Sequence, residues 1–320
     1  MNKAQTSEIV RTAPDYKHRG KSIWTPSQII LTLIIIAVSL TCLLPFINVA
    51  ATSLSTKSAI LGGKVSFLPK DVDSMGRDFI HVDFTTYRVL FSDKSMIRSL
   101  FFTIFITVAY TVFAMVLTTL LAYPLAKKRL HGRKLINSLA LFTMYFSGGT
   151  IPIYINIRDL GLLDTPWALI LPGMLSTYNM IILKSFFSAL PGELEEAAII
   201  DGANDFQVLW KIYLPLSLAS LATLTLFYAV GKWNSFQDAL YYIQNNKEYQ
   251  PLQLKLYLRI KGSQTSDVAQ MEGGSQTVAQ EISESIQSAT IMFTTLPILV
   301  VYPFVQRYFV SGVTIGAVKG

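Results

Sequence analysis

The chain has 320 residues, of which 51% are hydrophobic and only 15% charged, and its formal net charge is +7. A soluble domain usually carries about 25% charged residues, so this composition excludes an ordinary soluble protein and indicates a membrane protein. The basic residues lie beside apolar runs, which argues against a nucleic-acid partner and favours an orientation signal in a membrane.

The apolar residues are concentrated in six runs of about 20 residues, each long enough to cross roughly 30 Å of hydrocarbon as a helix. Helices are expected because backbone polar groups in lipid must be satisfied within the segment. We therefore predict an all-α integral membrane protein with six transmembrane helices in a lipid bilayer. The predicted spans are residues 27–50, 99–126, 135–157, 166–187, 214–230 and 286–309.

Two basic segments predict the orientation of these spans. The first run follows a basic tail, residues 1–26, and is too long for the apolar region of a cleaved signal peptide. The loop 127–134 contains five cations and no acid. Because Lys and Arg are enriched in cytoplasmic loops, we predict that both segments and the C-terminal tail 311–320 are cytoplasmic. The two long polar connections, 52–98 and 237–285, would then lie outside.

The spans and connections lack the residues of a built-in motor. Ionisable side chains cost about 2.5–3.5 kcal/mol each inside a bilayer, and the central parts of the six runs hold none. The chain also lacks a Gly-x4-Gly-Lys-Ser/Thr phosphate loop. Its three histidines are isolated, without the spacing of a metal site. We therefore expect no catalytic residue, no metal and no cofactor here, so uphill transport would need energy from a partner.

The connection between the fourth and fifth runs, residues 191–215, is typical of two short helices with a break. Three glutamates fall in the first turn, where negative charge suits the helix dipole. Gly202 predicts the end of the first helix. Asn204, with Gln207 three residues later, predicts a capping box for the second. The predicted apolar stripe of that second helix is Phe206, Leu209, Trp210 and Tyr213.

This connection matches the spacing Glu-Ala-Ala-x3-Gly-x9-Ile-x-Leu-Pro at every fixed position. It resembles the signature loop of bacterial ABC importer permeases, and the resemblance extends over nearly the whole chain. In that family the loop forms coupling helices that dock in a groove of the ATP-hydrolysing subunit, which binds the ATP and Mg²⁺. The resemblance implies a type I importer permease fold. The implied coupling residues are Glu196, Ala197, Ala198, Asp201, Gly202, Phe206, Ile212, Leu214 and Pro215.

Each type of coupling residue has a physical role under this interpretation. Ala197 and Ala198 allow close helix approach, and Gly202 permits a sharp change of direction. Glu196 offers a negative charge to a cationic groove. Phe206 would either anchor the loop in that groove or hold it to the chain's own spans.

Other stretches resemble a narrower branch of the family. Residues 296–320 are similar to the end of carbohydrate-importer permeases, and residues 144–152 and 160–173 resemble permeases for oligosaccharides and polysaccharide fragments. The resemblance implies sugar import by alternating access across the cytoplasmic membrane. The implied partners are a second homologous permease, two ATP-binding subunits and an extracellular solute-binding lipoprotein. The predicted regions are the tail 1–26, a first span with external segment 27–98, a permease core 99–310 with coupling loop 191–215, and the tail 311–320.

Four polar or aromatic residues are candidates for a substrate path. Sugar sites combine aromatic faces with amides or carboxylates, and Trp233, Asn234 and Asp238 fit that need. They fit an interfacial aromatic belt equally well. Asn179 would line the path or bond to a neighbouring helix. The alternatives are another solute, such as glycerol phosphate or peptide, an ATP-independent channel or secondary carrier, and an integral membrane enzyme.

Overall fold

The computed structural model describes residues 26–73, 75–270 and 284–303. The predicted tails 1–26 and 311–320 therefore lie outside the described residues, except for Pro26. The chain divides after Ile47 into two units. The first unit holds most of α1, Pro26–Ser53, an apolar helix that contains the predicted first span.

The first polar connection contains local structure that the sequence did not predict. An antiparallel hairpin pairs Lys70 with Ile80 and Val72 with Asp78. Its strands have three residues each, too short to show the alternation that marks a strand in sequence. The elements here are α2 Lys57–Leu61, β1 Lys70–Val72, β2 Asp78–Ile80 and α3 Thr85–Ser92.

The second span is α4, Lys94–Ala126, a helix of 33 residues. Asp93 caps its start by accepting a hydrogen bond from the Ser95 amide at 2.9 Å. The helix rises about 50 Å, more than a bilayer core requires. Its buried side is rich in small residues, which let neighbouring helices approach closely. These are Ser99, Thr103, Thr111, Ala114, Thr118 and Ala122.

The third run is two helices and not one. The helices α5, Arg133–Tyr145, and α6, Thr150–Asp159, meet at 110°. Gly149 between them has φ 86° and ψ 172°, a conformation essentially restricted to glycine. The run predicted as one span at 135–157 is therefore a bent helix pair, either a broken span or a re-entrant loop, with the glycine pair before α6 at the bend.

The fourth run is also broken. It contains α7, Trp167–Ile170, and α8, Thr177–Ala189. Gly173 between them has φ +73°, which ends helical geometry. With 13 residues, α8 rises about 20 Å, less than the roughly 30 Å of a bilayer core. The span predicted at 166–187 is thus not one continuous helix.

The fifth predicted span begins four residues late, because a bend of 84° separates it from the coupling loop. The loop contains α9 Gly192–Ile200, α10 Asp205–Val208, a π-helical turn Leu209–Tyr213 and α11 Leu214–Leu216. After the bend come α12 Leu218–Asn234, α13 Gln237–Tyr242, a 3-10 turn Lys247–Tyr249 and α14 Leu252–Gln270. The last described helix is α15 Glu284–Pro303.

The predicted class, an all-α integral membrane protein, is confirmed apart from the short hairpin. Within the described ranges, three helices are long and apolar enough to cross a membrane, namely α1, α4 and α15. The number rises to five if each of two bent pairs forms one span. Broken helices at membrane depth are tolerated where they are covered by protein or line a cavity.

The two ends of α4 contact different parts of the chain. At its start, Ser99 donates to the Gln250 carbonyl at 2.7 Å, and Thr103 accepts from the Leu252 amide at 2.8 Å. The predicted external segments 52–98 and 237–285 also meet at this end, where Arg259 pairs with Asp93 at 3.1 Å. Along its length α4 packs on α8 and α12, and its last turn contacts the coupling loop.

Candidate functional site

The first coupling helix, α9, ends in a Schellman motif. The Ala203 amide donates to the Ala198 carbonyl at 2.9 Å, and the Gly202 amide donates to the Ile199 carbonyl at 3.0 Å. Gly202 has φ +83°, so the backbone turns there in the left-handed region that favours glycine. The predicted helix end at Gly202 is confirmed.

The second coupling helix starts as predicted and then departs from prediction. The Gln207 amide donates to Asn204 Oδ1 at 2.8 Å, and the Asn204 amide donates to Gln207 Oε1 at 2.9 Å, which completes the capping box. The π-helical turn follows at once and ends at Tyr213, two residues before Pro215, which has no N–H to donate. Pro215 lies in α11, before the bend, and not in the fifth span.

The predicted apolar stripe does not form. Leu209 and Tyr213 are buried, whereas Phe206 and Trp210 are 61% and 59% exposed. A π turn advances each residue by a smaller angle than an α-helix does, so positions that would share one α-helical face spread apart. The stripe therefore divides into an inner pair and an outer pair.

Most of the implied coupling residues are exposed on the outer surface of the loop. A Cβ atom added to Gly202 would meet nothing within 4 Å, so the open side of the turn has room for a partner. Ala198, Ile212 and Leu214 are half-buried against the core, and Pro215 is exposed. Exposed on the outer surface are Glu196, Ala197, Ile199, Ile200, Asp201, Gly202, Phe206 and Trp210.

The inner surface of the loop is built around an ion pair. Glu195 of α9 lies 2.5 Å from the ammonium of Lys127, the residue that follows α4. Their side chains are 16% and 7% exposed. The ammonium lies 4.3 Å from the ring centre of Tyr123 and 4.0 Å from that of Tyr213. The Tyr213 hydroxyl donates to Glu195 Oε2 at 2.8 Å.

The two charges stabilise each other against burial. Burial lowers the pKa of Lys127, and the Glu195 carboxylate opposes that change. Burial acts to raise the pKa of Glu195, but the nearby ammonium of Lys127 and the hydrogen bond from Tyr213 outweigh it and the pKa is lowered. Arg129 adds positive charge 3.8 Å from Glu195 and also pairs with Asp205. The lowered pKa of Glu195 keeps its carboxylate ionised at neutral pH, beside two cationic side chains.

Three aromatic rings close this site on the core side. The Tyr213 ring lies 5.1 Å from that of Tyr123 and 5.5 Å from that of Phe187, both close to perpendicular. The Tyr123 hydroxyl donates to the Asp205 carbonyl at 2.9 Å. Because Phe187 belongs to α8 and Tyr123 to α4, both halves of the coupling loop are fixed to the ends of these two helices.

Sequence reasoning missed the roles of Lys127, Glu195 and Tyr123. Glu195 stands beside the matched motif, but its neighbour Glu196 was the residue that the spacing selected. Lys127 was counted among the cations that predict orientation. No sequence spacing links residue 127 to residue 195, so only the packing of α9 against the end of α4 brings them together.

The four candidate path residues do not form one cluster. Trp233 is buried and donates from Nε1 to the Thr294 carbonyl at 3.2 Å. Asn234 donates to the Val230 carbonyl at 3.0 Å, within its own helix. Asp238 lies 3.2 Å from Lys232, and Asn179 is buried in α8. Trp233 and Asp238 line different cavities, so a shared sugar-binding role stays a prediction.

Metal-binding chemistry finds no support in the described part of the chain. No group of three or more His, Cys, Asp or Glu side chains there is arranged to hold an ion. His81 and His131 are both exposed, and His18 lies outside the described residues. The chain's lack of a metal or cofactor stays an expectation.

Residues 93–315 match the family described as "Binding-protein-dependent transport system inner membrane component". The chain belongs to this family. The permease is 39% identical to a polygalacturonan/rhamnogalacturonan transport system permease of Bacillus subtilis, over 88% of this chain and 94% of that protein. It is 31% identical to a trehalose transport system permease of Mycobacterium tuberculosis, over 87% and 93% of the two chains.

Solved structures agree with this assignment. The permease is 31% identical to a chain in the crystal structure of a bacterial ABC transporter involved in the import of the acidic polysaccharide alginate. The TM-score is 0.77, with 90% of this chain and 100% of that chain covered. The expected type I importer permease fold is confirmed. The protein is a membrane-embedded transport subunit of an ATP-driven importer.

Proposed function

We propose that the permease imports oligosaccharides released from acidic polysaccharides, as one half of a heteromeric permease. It pairs with a second homologous permease, with two ATP-binding subunits and with an extracellular solute-binding lipoprotein. Hydrolysis of ATP on the partner subunits drives alternating access, and this chain hydrolyses no ATP itself.

The observation that supports the substrate class is the similarity along nearly the full length of two relatives. One is named for polygalacturonan and rhamnogalacturonan, and the other belongs to an importer of acidic alginate. Polygalacturonan and alginate are both built of uronic acids. Substrate selection in such a system depends on the external binding protein as well, so the test must include that partner.

The outer surface of the coupling loop supports the proposed coupling to an ATPase. It combines exposed apolar side chains, Phe206 and Ile200, with the carboxylate of Glu196 and a glycine turn that leaves room for a partner. An apolar anchor with a peripheral charge is the composition of a docking surface. We assign Glu196, Ala197, Asp201, Gly202 and Phe206 to this contact.

The proposed orientation follows from the ends of α4. The basic loop 127–134 and the coupling loop 191–215 lie at one end, which we place in the cytoplasm with both chain termini. The connections 52–98 and 237–285 meet at the other end, where the binding protein would dock. After replacement of Cys42, a cysteine at Asn245 should react with an impermeant reagent in intact cells. A cysteine at Lys128 should react only after permeabilisation.

Reconstitution tests the substrate. The permease, its partner permease, the ATPase and the binding protein are assembled in proteoliposomes and supplied with labelled oligogalacturonates, neutral arabino-oligosaccharides, a peptide or glycerol phosphate. We expect ATP-dependent uptake of the oligogalacturonates. Uptake of only the peptide or glycerol phosphate would contradict the sugar assignment, and uptake without ATP would contradict the importer.

Two substitutions on the outer surface test the docking role. Glu196→Lys reverses the exposed charge, and Gly202→Asp adds bulk and charge at the turn. We expect both variants to reach the membrane in normal amount, to lose the ATPase on purification and to lose uptake. Glu193→Gln, an exposed change on the same helix, serves as the control. Uptake lost while the ATPase stays bound at wild-type stoichiometry would contradict docking by these residues.

A further inference from the structure

The Lys127–Glu195 pair differs from its neighbours in solvent exposure. The two side chains are 7% and 16% exposed, whereas Lys128, Glu193 and Glu196 beside them are exposed. The packing of α9 thus removes one acid and one base from water and leaves adjacent charges of the same kind outside.

Every group around the Glu195 carboxylate belongs to another element. Lys127 and Arg129 follow α4, and Tyr213 belongs to the π-helical turn. The ammonium of Lys127 is in turn held between the Tyr123 and Tyr213 rings. The pair therefore joins α4, the first coupling helix and the second coupling helix at one point.

A charge pair in this setting resists separation more than an exposed pair does. Separation would leave each charge next to aromatic rings and away from water, where Coulomb attraction is weakly screened. A displacement of α9 is therefore resisted unless the end of α4 moves with it. An apolar contact in the same place would provide cohesion but would allow sliding, because apolar attraction is non-directional.

We propose that Lys127 and Glu195 are positioning residues that transmit movement of the docked coupling loop to α4. This inference rests on the proposed function. It adds that hydrolysis on the partner and the rearrangement of the spans are linked through one buried ion pair, separate from the docking contact. The loop would bind the ATPase through its outer surface and move the spans through its inner surface.

Charge-removing variants of similar size test the proposal in the reconstituted importer. Lys127→Met and Glu195→Gln remove one charge each, and the double variant removes both without leaving a lone charge. Lys128→Met with Glu193→Gln is the matched control, since it makes the same chemical changes on exposed neighbours. The measurements are ATPase stoichiometry, hydrolysis stimulated by the loaded binding protein, and substrate imported per ATP hydrolysed.

We expect each single variant to keep the ATPase bound and to import about tenfold less substrate per ATP, a typical size for coupling between two sites. The double variant should be no worse than the singles, because the three variants lack the same interaction. Lys127→Arg, which keeps the charge and the contact with the rings, should import as much substrate per ATP hydrolysed as wild type. The control should match wild type.

Three outcomes would overturn the proposal. One is an import-to-hydrolysis ratio equal to wild type in the double variant. A second is multiplied defects in the double variant, which would mean that the residues act independently. The third is loss of the double variant from the membrane, which would make the pair structural. If the wild-type complex itself neither binds an ATPase nor transports, the proposed function fails instead, so the two failures are distinguishable.

Discussion

Ion pairs occur at both ends of α4, but in opposite environments. At the coupling end, Lys127 and Glu195 are 7% and 16% exposed and lie beside two tyrosine rings. At the starting end, Arg98 and Glu248 form a pair whose side chains are 54% and 55% exposed. Exposed pairs contribute about 0–1 kcal/mol, whereas removal of one member of a buried pair is strongly destabilising.

The comparison shows how one helix serves two kinds of attachment. The starting end joins two polar connections through the exposed Arg98–Glu248 pair and through hydrogen bonds of the buried Ser99 and Thr103. The coupling end fixes a loop through charges that depend on their partners. Movement imposed on the loop should therefore pass into α4.

The largest expected effect on stability comes from the aromatic rings on the core side of the coupling end. Phe187→Ala should lower the free energy of unfolding by about 3–5 kcal/mol, because the side chain is fully buried and leaves a cavity beside the rings of Tyr123 and Tyr213. Thermal unfolding of the purified protein measures the change. The control is Phe91→Ala, which changes an exposed phenylalanine near the starting end. An equal loss of stability in this control would show that the two ends of α4 do not differ.

A smaller difference in stability is expected between variants of two adjacent glutamates. Glu195→Ala should cost about 2–3 kcal/mol, slightly below the range for fully buried pairs, because it leaves Lys127 without its carboxylate. Glu196→Ala should change stability by less than about 0.5 kcal/mol, since the side chain is exposed. Thermal unfolding of both variants in the same detergent gives the difference. Equal values would show that the Lys127–Glu195 pair contributes no more to stability than an exposed charge does.

The turn between the coupling helices gives the next effect. Gly202→Ala should lower stability by about 1–2 kcal/mol, because φ +83° is unfavourable for a residue with a Cβ even where no atom clashes. Gly231→Ala lies within α12, has no close neighbour and should be neutral or slightly stabilising. If the two variants behaved alike, the left-handed turn would not limit stability.

The smallest effect is expected near the starting end. Asp164 accepts hydrogen bonds from the Asn245 amide and Nδ2, both at 2.8 Å, and from the Asn246 amide at 3.2 Å. Asp164→Asn keeps a residue that tolerates φ 57° but removes the charge, so we expect a loss of about 0.5–1 kcal/mol. Asp159→Asn is the control.

The same aspartate predicts a direction of pH dependence. Burial acts to raise the pKa of Asp164, but the amides of Asn245 and Asn246 outweigh it and the pKa is lowered from its usual 3.8. A lowered pKa gives stability that is present above about pH 4 and lost as pH falls through the folded-state pKa. Unfolding curves of wild type and Asp164→Asn should therefore converge only in strong acid. A difference that changed between pH 6 and pH 8 would contradict this assignment.

The local structure of the chain could be predicted from the sequence. The apolar runs predicted the class, and the capping box at Asn204 and the glycine turn at Gly202 were correct in detail. These features depend on residues within a few positions of one another, whose preferences act over a single helix turn. The motif spacing also selected the loop 191–215, and most of the residues it selected are exposed, while their coupling role stays a prediction.

Features that depend on distant residues were decided only by the tertiary structure. The breaks at Gly149 and Gly173 interrupt runs whose composition alone favours continuous helices, because hydropathy measures apolarity and not backbone direction. The π-helical turn before Pro215 divided a stripe that ideal helical spacing would have kept on one face. The pairing of Lys127 with Glu195 depends on where α9 packs against the end of α4. Sequence therefore determined the class and the local turns, whereas packing decided which charges lie inside the loop.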